Sequence, residues 1–416
     1  MNHRARLCAN ICNNLTAGLW ANLAASLPCG AGRIGWLMLA LLAAPIAATT
    51  ADAASEYKTA ARTAILMEAS TGAVLFEKDA DRRVPPASMS KLMTLAIIFK
   101  TLKAGQIRLE DEFMMSVHAW RTGGAPSRTS AMMVPVNTRI SLNELIQGII
   151  VQSGNDAAIS VAEGLAGSEA AFAKVMNAEA KRIGLTNSSF ANPTGLDHPD
   201  QLMSARDLAI LARHLIMQYP EFYKLFAQKE FKYRRHLFRN RNRLLFRDIG
   251  VDGLKTGYTS TAGNSMVASA VQDGRRIIAV LTGLETKNDR WNETQKMIEW
   301  GFKGFGTFKL FPAGEVVSQA RVWGGSQMFV PLSGRGDVQV LLSRFPVNQK
   351  LRAEVIYKGP LKPPIKQGDE VAKLRVTSST GVRNDVPLYA TKDVTPAGTW
   401  WRGLDSLIYL GLGWVP

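Results

Sequence analysis

Cysteine is nearly absent from this chain. Its 416 residues hold three, Cys8, Cys12 and Cys29, all near the N-terminus. Everything beyond them lacks a thiol, which excludes a cysteine nucleophile and a thiolate metal site there. A thiol-free body also suits export to an oxidising compartment, where no disulfide can misform. Histidine is scarce as well. His118, His198, His214 and His236 are scattered, and none forms the His-Glu-x-x-His pair of a zinc peptidase. Each is read as a surface or core residue, and no metal or cofactor is expected. Acidic residues are outnumbered, 34 against 50 Lys and Arg, for a formal net charge of +16. A basic balance suits an anionic partner, but no nucleic-acid-binding motif is found and no nucleic-acid partner is expected. The basic cluster Lys229 to Arg247, with Arg234, Arg235, Arg239, Arg241 and Arg243, is read as solvated surface. No internal repeat or long low-complexity tract occurs. An apolar share of 46% with 20% charged residues is globular, and the length allows two domains.

Both ends differ from the body. Arg4, Arg6 and Arg33 precede an apolar run, Ile34 to Ala48, and small residues follow to Ala51-Asp52-Ala53. That order predicts a secretory signal peptide over 1–53, standing apart from the globule. The apolar run is shorter than the roughly 20 residues a membrane span needs. At the other end, 395–416 holds Trp400, Trp401, Leu404, Leu407, Ile408, Tyr409, Leu410, Leu412 and Trp414, with only Arg402 and Asp405 charged. Trp and Tyr favour the membrane interface, so an in-plane amphipathic anchor helix is expected there.

Between the ends, Thr63 to Met67 and Ala73 to Phe76 read as a strand pair around the Ser70-Thr71-Gly72 turn. A helix is expected from Ser88 to about Lys103, opened by Pro85-Pro86. Leu142 to Val151, Asp156 to Leu165, Glu169 to Ile183 and Ala205 to Tyr219 read as further helices. Strands are expected at Val251 to Tyr258, Ser265 to Val271 and Arg275 to Leu284, with Asp273-Gly274 as a hairpin turn. A helix follows from Trp291 to Phe302. Composition shifts near Phe311-Pro312 to short β-branched runs spaced by Gly, Pro and Asp. The expected architecture is α+β: a catalytic domain over 54–310, a small all-β, sandwich-like domain over 311–394 and the terminal helix.

Three short motifs carry the chemistry: Ser88-Met-Ser-Lys91, Ser153-Gly-Asn155 and Lys255-Thr-Gly257. A serine hydroxyl needs a neighbour to remove its proton. On a helix, Lys91 at i+3 shares the face of Ser88. Lysine is a base only when partly neutral, and a helix N-terminus or a nearby cation lowers its pKa. The first-turn amides beside Ser88 are free to stabilise an oxyanion. Ser153 is expected to relay protons and Asn155 to hold the substrate amide. Lys255 is expected to point into the cleft, depress Lys91 and attract a carboxylate, which Thr256 would hydrogen-bond. Gly257 would let a substrate backbone approach the strand edge. The Tyr258 N–H would complete the oxyanion hole with that of Ser88. Ser55 to Lys58 and Ser141-Leu-Asn143 match the first two motifs, but without a helix at the former and as a helix N-cap at the latter.

The chain resembles the low-molecular-mass penicillin-binding proteins of the D-alanyl-D-alanine carboxypeptidase family, serine peptidase family S11. The resemblance spans nearly all of the chain beyond the leader. It includes Pro86-Ala-Ser-Met-Ser-Lys-Leu92, Ser153-Gly-Asn-Asp-Ala157, Asn192-Pro-Thr-Gly-Leu196, Asp252-Gly-Leu-Lys-Thr-Gly257 and Trp300-Gly-Phe302. It implies a β-lactamase/DD-peptidase-like domain, a small β domain and a C-terminal anchor on the periplasmic face of the bacterial inner membrane. The implied reaction is attack by Ser88 between the terminal D-alanines of a peptidoglycan stem peptide, release of D-alanine, and hydrolysis of the acyl-enzyme. β-Lactams would trap the same serine. Tyr258 stands where some relatives have His, and Arg290 resembles a family arginine near the cleft, in a supporting role. Alternatives are a DD-endopeptidase of the same family, whose relatives usually lack the second domain, and a non-catalytic wall-binding module, against which the intact motifs argue. A β-lactamase is a third, but no Glu-x-x-Leu-Asn segment lies between Asn155 and Lys255.

Overall fold

The computed structural model describes residues 2–7, 57–344, 349–379 and 381–412. Contacts divide the chain into two units. One spans Tyr57–Lys303; the other holds residues from Gly304 onward together with the N-terminal segment. The division precedes the expected boundary at 310/311, because Phe305–Phe311 is a strand paired within the second unit.

The first unit is built on an antiparallel sheet of β1 (Thr63–Glu68), β2 (Val74–Lys78), β3 (Val251–Thr259), β4 (Gly263–Gln272) and β5 (Arg275–Leu284). Within this unit the order is β2-β1-β5-β4-β3. The β4–β5 hairpin turns on Asp273 and Gly274, with φ of 48° and 75°. Two left-handed residues make the turn whose twist matches antiparallel strands, and Asp-Gly supplies them at low steric cost. Strand β3 ends the sheet order, so one of its edges is left for other partners.

The helical block packs against the sheet. It contains α1 (Lys91–Lys103), α2 (Asn155–Ala166), α3 (Glu169–Ile183) and α4 (Ala205–Gln218), and α5 (Lys287–Gly304) closes the unit. Helix α1 is buried from Lys91 through Phe99. A helix with no polar stripe over that length belongs in the core rather than on the surface. Ser168 and Ser204 cap α3 and α4 by accepting from Ala171 N and Asp207 N. Ser141 does the same for Leu142–Gln147, accepting from Glu144 N, so the decoy Ser-Leu-Asn is a cap. The helix expected over Leu142 to Val151 changes to a π-turn over Gly148–Gln152. Several short elements escaped the sequence reading, among them a helix at Val117–Gly123 and the strand pairs Glu112–Met114 with Arg139–Ser141 and Glu230–Tyr233 with His236–Arg239. The longest has seven residues, too few to show a period.

Among the described residues the second unit is all-β apart from its last helix. Its strands are β6 (Phe305–Phe311), β7 (Ser318–Arg321), β8 (Phe329–Ser333), β9 (Val338–Ser343), β10 (Leu351–Lys358), β11 (Glu370–Ser378) and β12 (Arg383–Ala390). All pairings are antiparallel: β6 with β9, β7 with β8, β8 with β12, β12 with β11 and β11 with β10. Alternate residues Ala372, Leu374 and Val376 of β11 face a core shared with Val340, Val355 and Leu388, the period-two burial of a sandwich. Asn2–Leu7 runs antiparallel to β10, with Asn2 opposite Lys358. The leader was expected to stand wholly apart. Its first residues instead satisfy backbone groups on an edge of β10, while 8–56, including the apolar run and Ser55, lie outside the described residues.

Helix α6 (Thr399–Leu412) is amphipathic. Trp400 is 93% exposed and Leu407 68%. On its covered face Asp405 is buried, accepting from Arg321 Nη2 and, at 2.6 Å, from the Gly324 amide. Among the described residues no helix is long and apolar enough to cross a membrane.

Candidate active site

The three motifs come together at one cleft of the first unit, with a volume of about 860 Å³. Ser88, Ser153, Thr256, Gly257, Tyr258 and Arg290 line it. Ser88 is not in the α-helix that its spacing to Lys91 predicts. It sits in a 3₁₀ turn, Ala87–Ser90, just ahead of α1. Ala87 has φ of 49°, a left-handed conformation from which an α-helix cannot continue. The α-helix proper begins at Lys91, whose side chain is fully buried and reaches back to the serine.

Lys91 Nζ has three oxygen neighbours. Ser88 Oγ lies at 3.1 Å, Asn155 Oδ1 at 2.6 Å and the Thr194 carbonyl at 2.6 Å. Asn155 and Thr194 offer only acceptors there, so Nζ donates to both. If the amine is neutral its remaining lone pair faces Ser88 Oγ. Burial in the core pushes the Lys91 pKa down to about 7, helped by Arg241 and opposed by Asp156. Lys255, the expected neighbouring cation, repels Lys91 as Lys91 repels it. Lys255 is itself buried, and burial followed by Lys91, Arg241 and Arg290 holds it well below the ordinary lysine range.

Asn155 opens α2. Its Nδ2 donates to Thr129 Oγ1 at 2.9 Å, and its amide donates to Ser130 O at 2.7 Å. The next residue, Asp156, accepts from Met132 N at 2.8 Å, so one helix start fixes the loop before it. Ser153 follows the π-turn with φ of 63°. Its Oγ is buried and has no hydrogen-bond partner among the described residues.

On β3, Lys255 and Thr256 are buried, while Tyr258 is 60% exposed at the cleft rim. Gly257 lines the cleft, and its missing side chain also matters for packing. A Cβ there would lie 2.9 Å from Pro86 O and 3.2 Å from Met89 Cγ. The missing side chain lets β3 pack against the Ser88 turn. Arg290, near the start of α5, is buried with its guanidinium 4.1 Å over the Trp291 ring, and its Nη1 donates to Gly257 O at 3.3 Å. Burial, then Arg241, lowers its pKa to about 10.

Two contributors were missed. The first is the loop Asn192–Leu196. Asn192 Oδ1 accepts from Thr194 N, Thr194 Oγ1 and Gly195 N, and its Nδ2 donates to Leu196 O. Gln201 Oε1 accepts from the amides of Ala191 and Asn192, while its Nε2 donates to Ser90 Oγ. The loop thereby aims the Thr194 carbonyl at Lys91. Asn-Pro-Thr-Gly signals a turn, but nothing in it names the lysine. The second is Arg241, read as solvated surface. It is exposed, yet its Nη1 donates to Ser130 Oγ at 2.7 Å and it lines the cleft with Arg239, Arg243 and Arg247. Asn242 anchors this segment, donating to Gly253 O of β3 at 3.0 Å.

A family model described as Peptidase S11, D-alanyl-D-alanine carboxypeptidase, matches residues 48–286, and one for the penicillin-binding protein 5 C-terminal domain matches 305–396. The D-alanyl-D-alanine carboxypeptidase DacC of Escherichia coli K12 is 37% identical over 351 residues, covering 84% of this chain and 88% of that one. The crystal structure of penicillin-binding protein 5 from Haemophilus influenzae superposes with a TM-score of 0.71 at 35% identity, covering 82% of this chain and 99% of that one. Penicillin-binding protein D2 of Listeria monocytogenes, in its ampicillin-bound form, matches at 27% identity and a TM-score of 0.52, over 59% of this chain and 99% of that one. The chain therefore belongs to the Peptidase S11 family of D-alanyl-D-alanine carboxypeptidases, a class of hydrolases and penicillin-binding proteins.

One residue tests how tightly the cleft is built. A Cβ on Gly195, at φ 79°, would lie 1.9 Å from Ala87 O. Gly195→Ala should destabilise the protein by about 2 kcal/mol or more through strain and overlap, read as a lowered denaturation midpoint. An unchanged midpoint would show that the Ser88 turn yields freely.

Proposed function

We propose that the protein removes the terminal D-alanine from peptidoglycan stem pentapeptides through an acyl-enzyme on Ser88. The observation that carries this is the Lys91 amine, held by Asn155 Oδ1 and the Thr194 carbonyl with Ser88 Oγ at 3.1 Å. Neutral Lys91 takes the Ser88 proton as Oγ attacks the carbonyl between the two D-alanines. The amides of Ser88 and Tyr258 receive the oxyanion. Ser153 passes a proton from Lys91 to the departing amine, a role that suits its buried hydroxyl with no partner among the described residues. Lys255, Thr256 and Arg290 hold the terminal carboxylate, and Asn155 also meets the substrate amide. An incoming carboxylate restores the charge that burial takes from Lys255. After D-alanine leaves, Lys91 draws a proton from water, which hydrolyses the ester. β-Lactams acylate the same serine.

We further propose export to the periplasmic face of the inner membrane, with removal of the leader, and anchoring by the exposed Trp400, Leu404 and Leu407 face of α6.

Mass spectrometry of pentapeptide stems and cross-linked dimers, with the protein and its Ser88→Ala variant, tests the reaction. One alanine should be lost from pentapeptides, and the variant should lose none. Dimers split to monomers would instead make it an endopeptidase. The pH profile tests the base. Below about 7 Lys91 is protonated and cannot accept. The Ser88 acylation rate by a β-lactam should rise roughly tenfold per pH unit up to about 7 and then level; a flat profile from pH 5 to 9 would remove Lys91 from the role. Deleting 399–416 should move the protein from the membrane fraction to the soluble fraction with its peptidase activity intact. Retention in the membrane fraction would place the anchor elsewhere.

A further inference from the structure

The cleft carries more positive charge than one terminal carboxylate requires. Arg241, Arg243, Arg247, Lys287 and Arg290 line it, together with Arg239. No Asp or Glu is among the lining residues. Arg239 pairs with Glu230 at 3.1 Å. The other five have no ion-pair partner among the described residues: Arg241 donates to the Ser130 hydroxyl, Arg247 to the Gln295 amide, and Arg290 to the Gly257 carbonyl.

These cations stand on two separate elements. Arg241, Arg243 and Arg247 belong to the segment that Asn242 ties to β3, and Lys287 and Arg290 to the start of α5. Arg290 is buried beside Gly257, whereas Arg243, Arg247 and Lys287 are exposed. Arg290 reaches the Gly257 carbonyl of the KTG strand, and the exposed cations add charge to the cleft beyond what one terminal carboxylate would neutralise. Like charges gathered without counter-ions repel one another, and an anion in the cleft relieves that repulsion.

We propose that the cleft selects stem peptides bearing free carboxylates upstream of the D-Ala-D-Ala end, with Arg243 and Lys287, from two separate elements of its lining, as specificity-determining residues. This rests on the carboxypeptidase reading of the same site. Amidation of those carboxylates would remove the charge that the outer cations attract, so the enzyme would trim acidic stems faster than amidated ones. Because Arg243 and Lys287 are exposed, the preference should weaken as salt rises.

The test uses the full chain and two acetylated pentapeptides ending in D-Ala-D-Ala, one with two upstream glutamates and one with glutamines in their place. The glutamate peptide should have a kcat/KM roughly tenfold higher at low salt, as expected for electrostatic guidance, and the ratio should shrink in 0.5 M salt, a concentration at which the Debye length falls to about 4 Å. In Arg243→Gln/Lys287→Gln the ratio should fall toward one, and Lys287→Arg alone should keep it. Equal kcat/KM for both peptides in the unaltered protein would overturn this inference and leave the carboxypeptidase reading standing. A preference that persists undiminished in the double variant would overturn its assignment to these two residues. If neither peptide loses D-alanine, the underlying reading fails, and this inference with it.

Discussion

The site depends on a lysine buried without a carboxylate partner. Taking an ammonium out of water is costly unless it is paired. Lys91 receives a side-chain amide oxygen and a backbone carbonyl instead of a counter-ion. Such neutral acceptors bind either protonation state and compensate little for lost hydration of the charge. The amine is thus held near neutrality at ordinary pH, and its remaining valence is directed at one hydroxyl. A salt bridge at this place would have kept the lysine charged.

Much of the surrounding architecture keeps those two acceptors still. The Asn192 side chain folds its own loop, Gln201 joins that loop to the Ser88 turn, and Asp156 ties α2 to the loop that Asn155 also contacts. Glycines at 195 and 257 bring backbone close to the serine turn from two sides, where a side chain would overlap Ala87 O or Pro86 O. Ser88 sits within this enclosure in a 3₁₀ turn, with a left-handed residue before it, rather than in the helix that follows.

How far this was legible in the sequence varied with the kind of signal. Strongly periodic or apolar stretches were readable to within a residue or two: Glu169–Ile183 and Arg275–Leu284 end where the pattern ends. Short motifs singled out Ser88, Lys91, Ser153, Asn155 and Lys255, because chemistry restricts which residues suffice, and the fold gathers those motifs at one cleft. What stayed hidden depends on long-range approach. Thr194 contributes only a backbone carbonyl, which any residue type carries. Arg241 belongs to a basic run whose members look alike until folding turns some toward the cleft. Gly257 was noted for a missing side chain, but that the Ser88 turn packs against it was not legible. The boundary between units was read late because Phe305–Phe311 continues the aromatic, lysine-bearing composition of α5 while pairing with β9.

The depressed Lys91 also has a calorimetric consequence. An unfolded chain would hold that proton up to about pH 10.5, the ordinary value, whereas the folded chain releases it near 7. Between those values the unfolded state binds more protons, so this residue makes stability rise with pH, and its cost is greatest in acid. Folding in that window expels a proton into the buffer. The heat of unfolding therefore includes the ionisation heat of whichever buffer is present, and the buried lysine that faces Ser88 is a thermodynamic burden on the fold that encloses it.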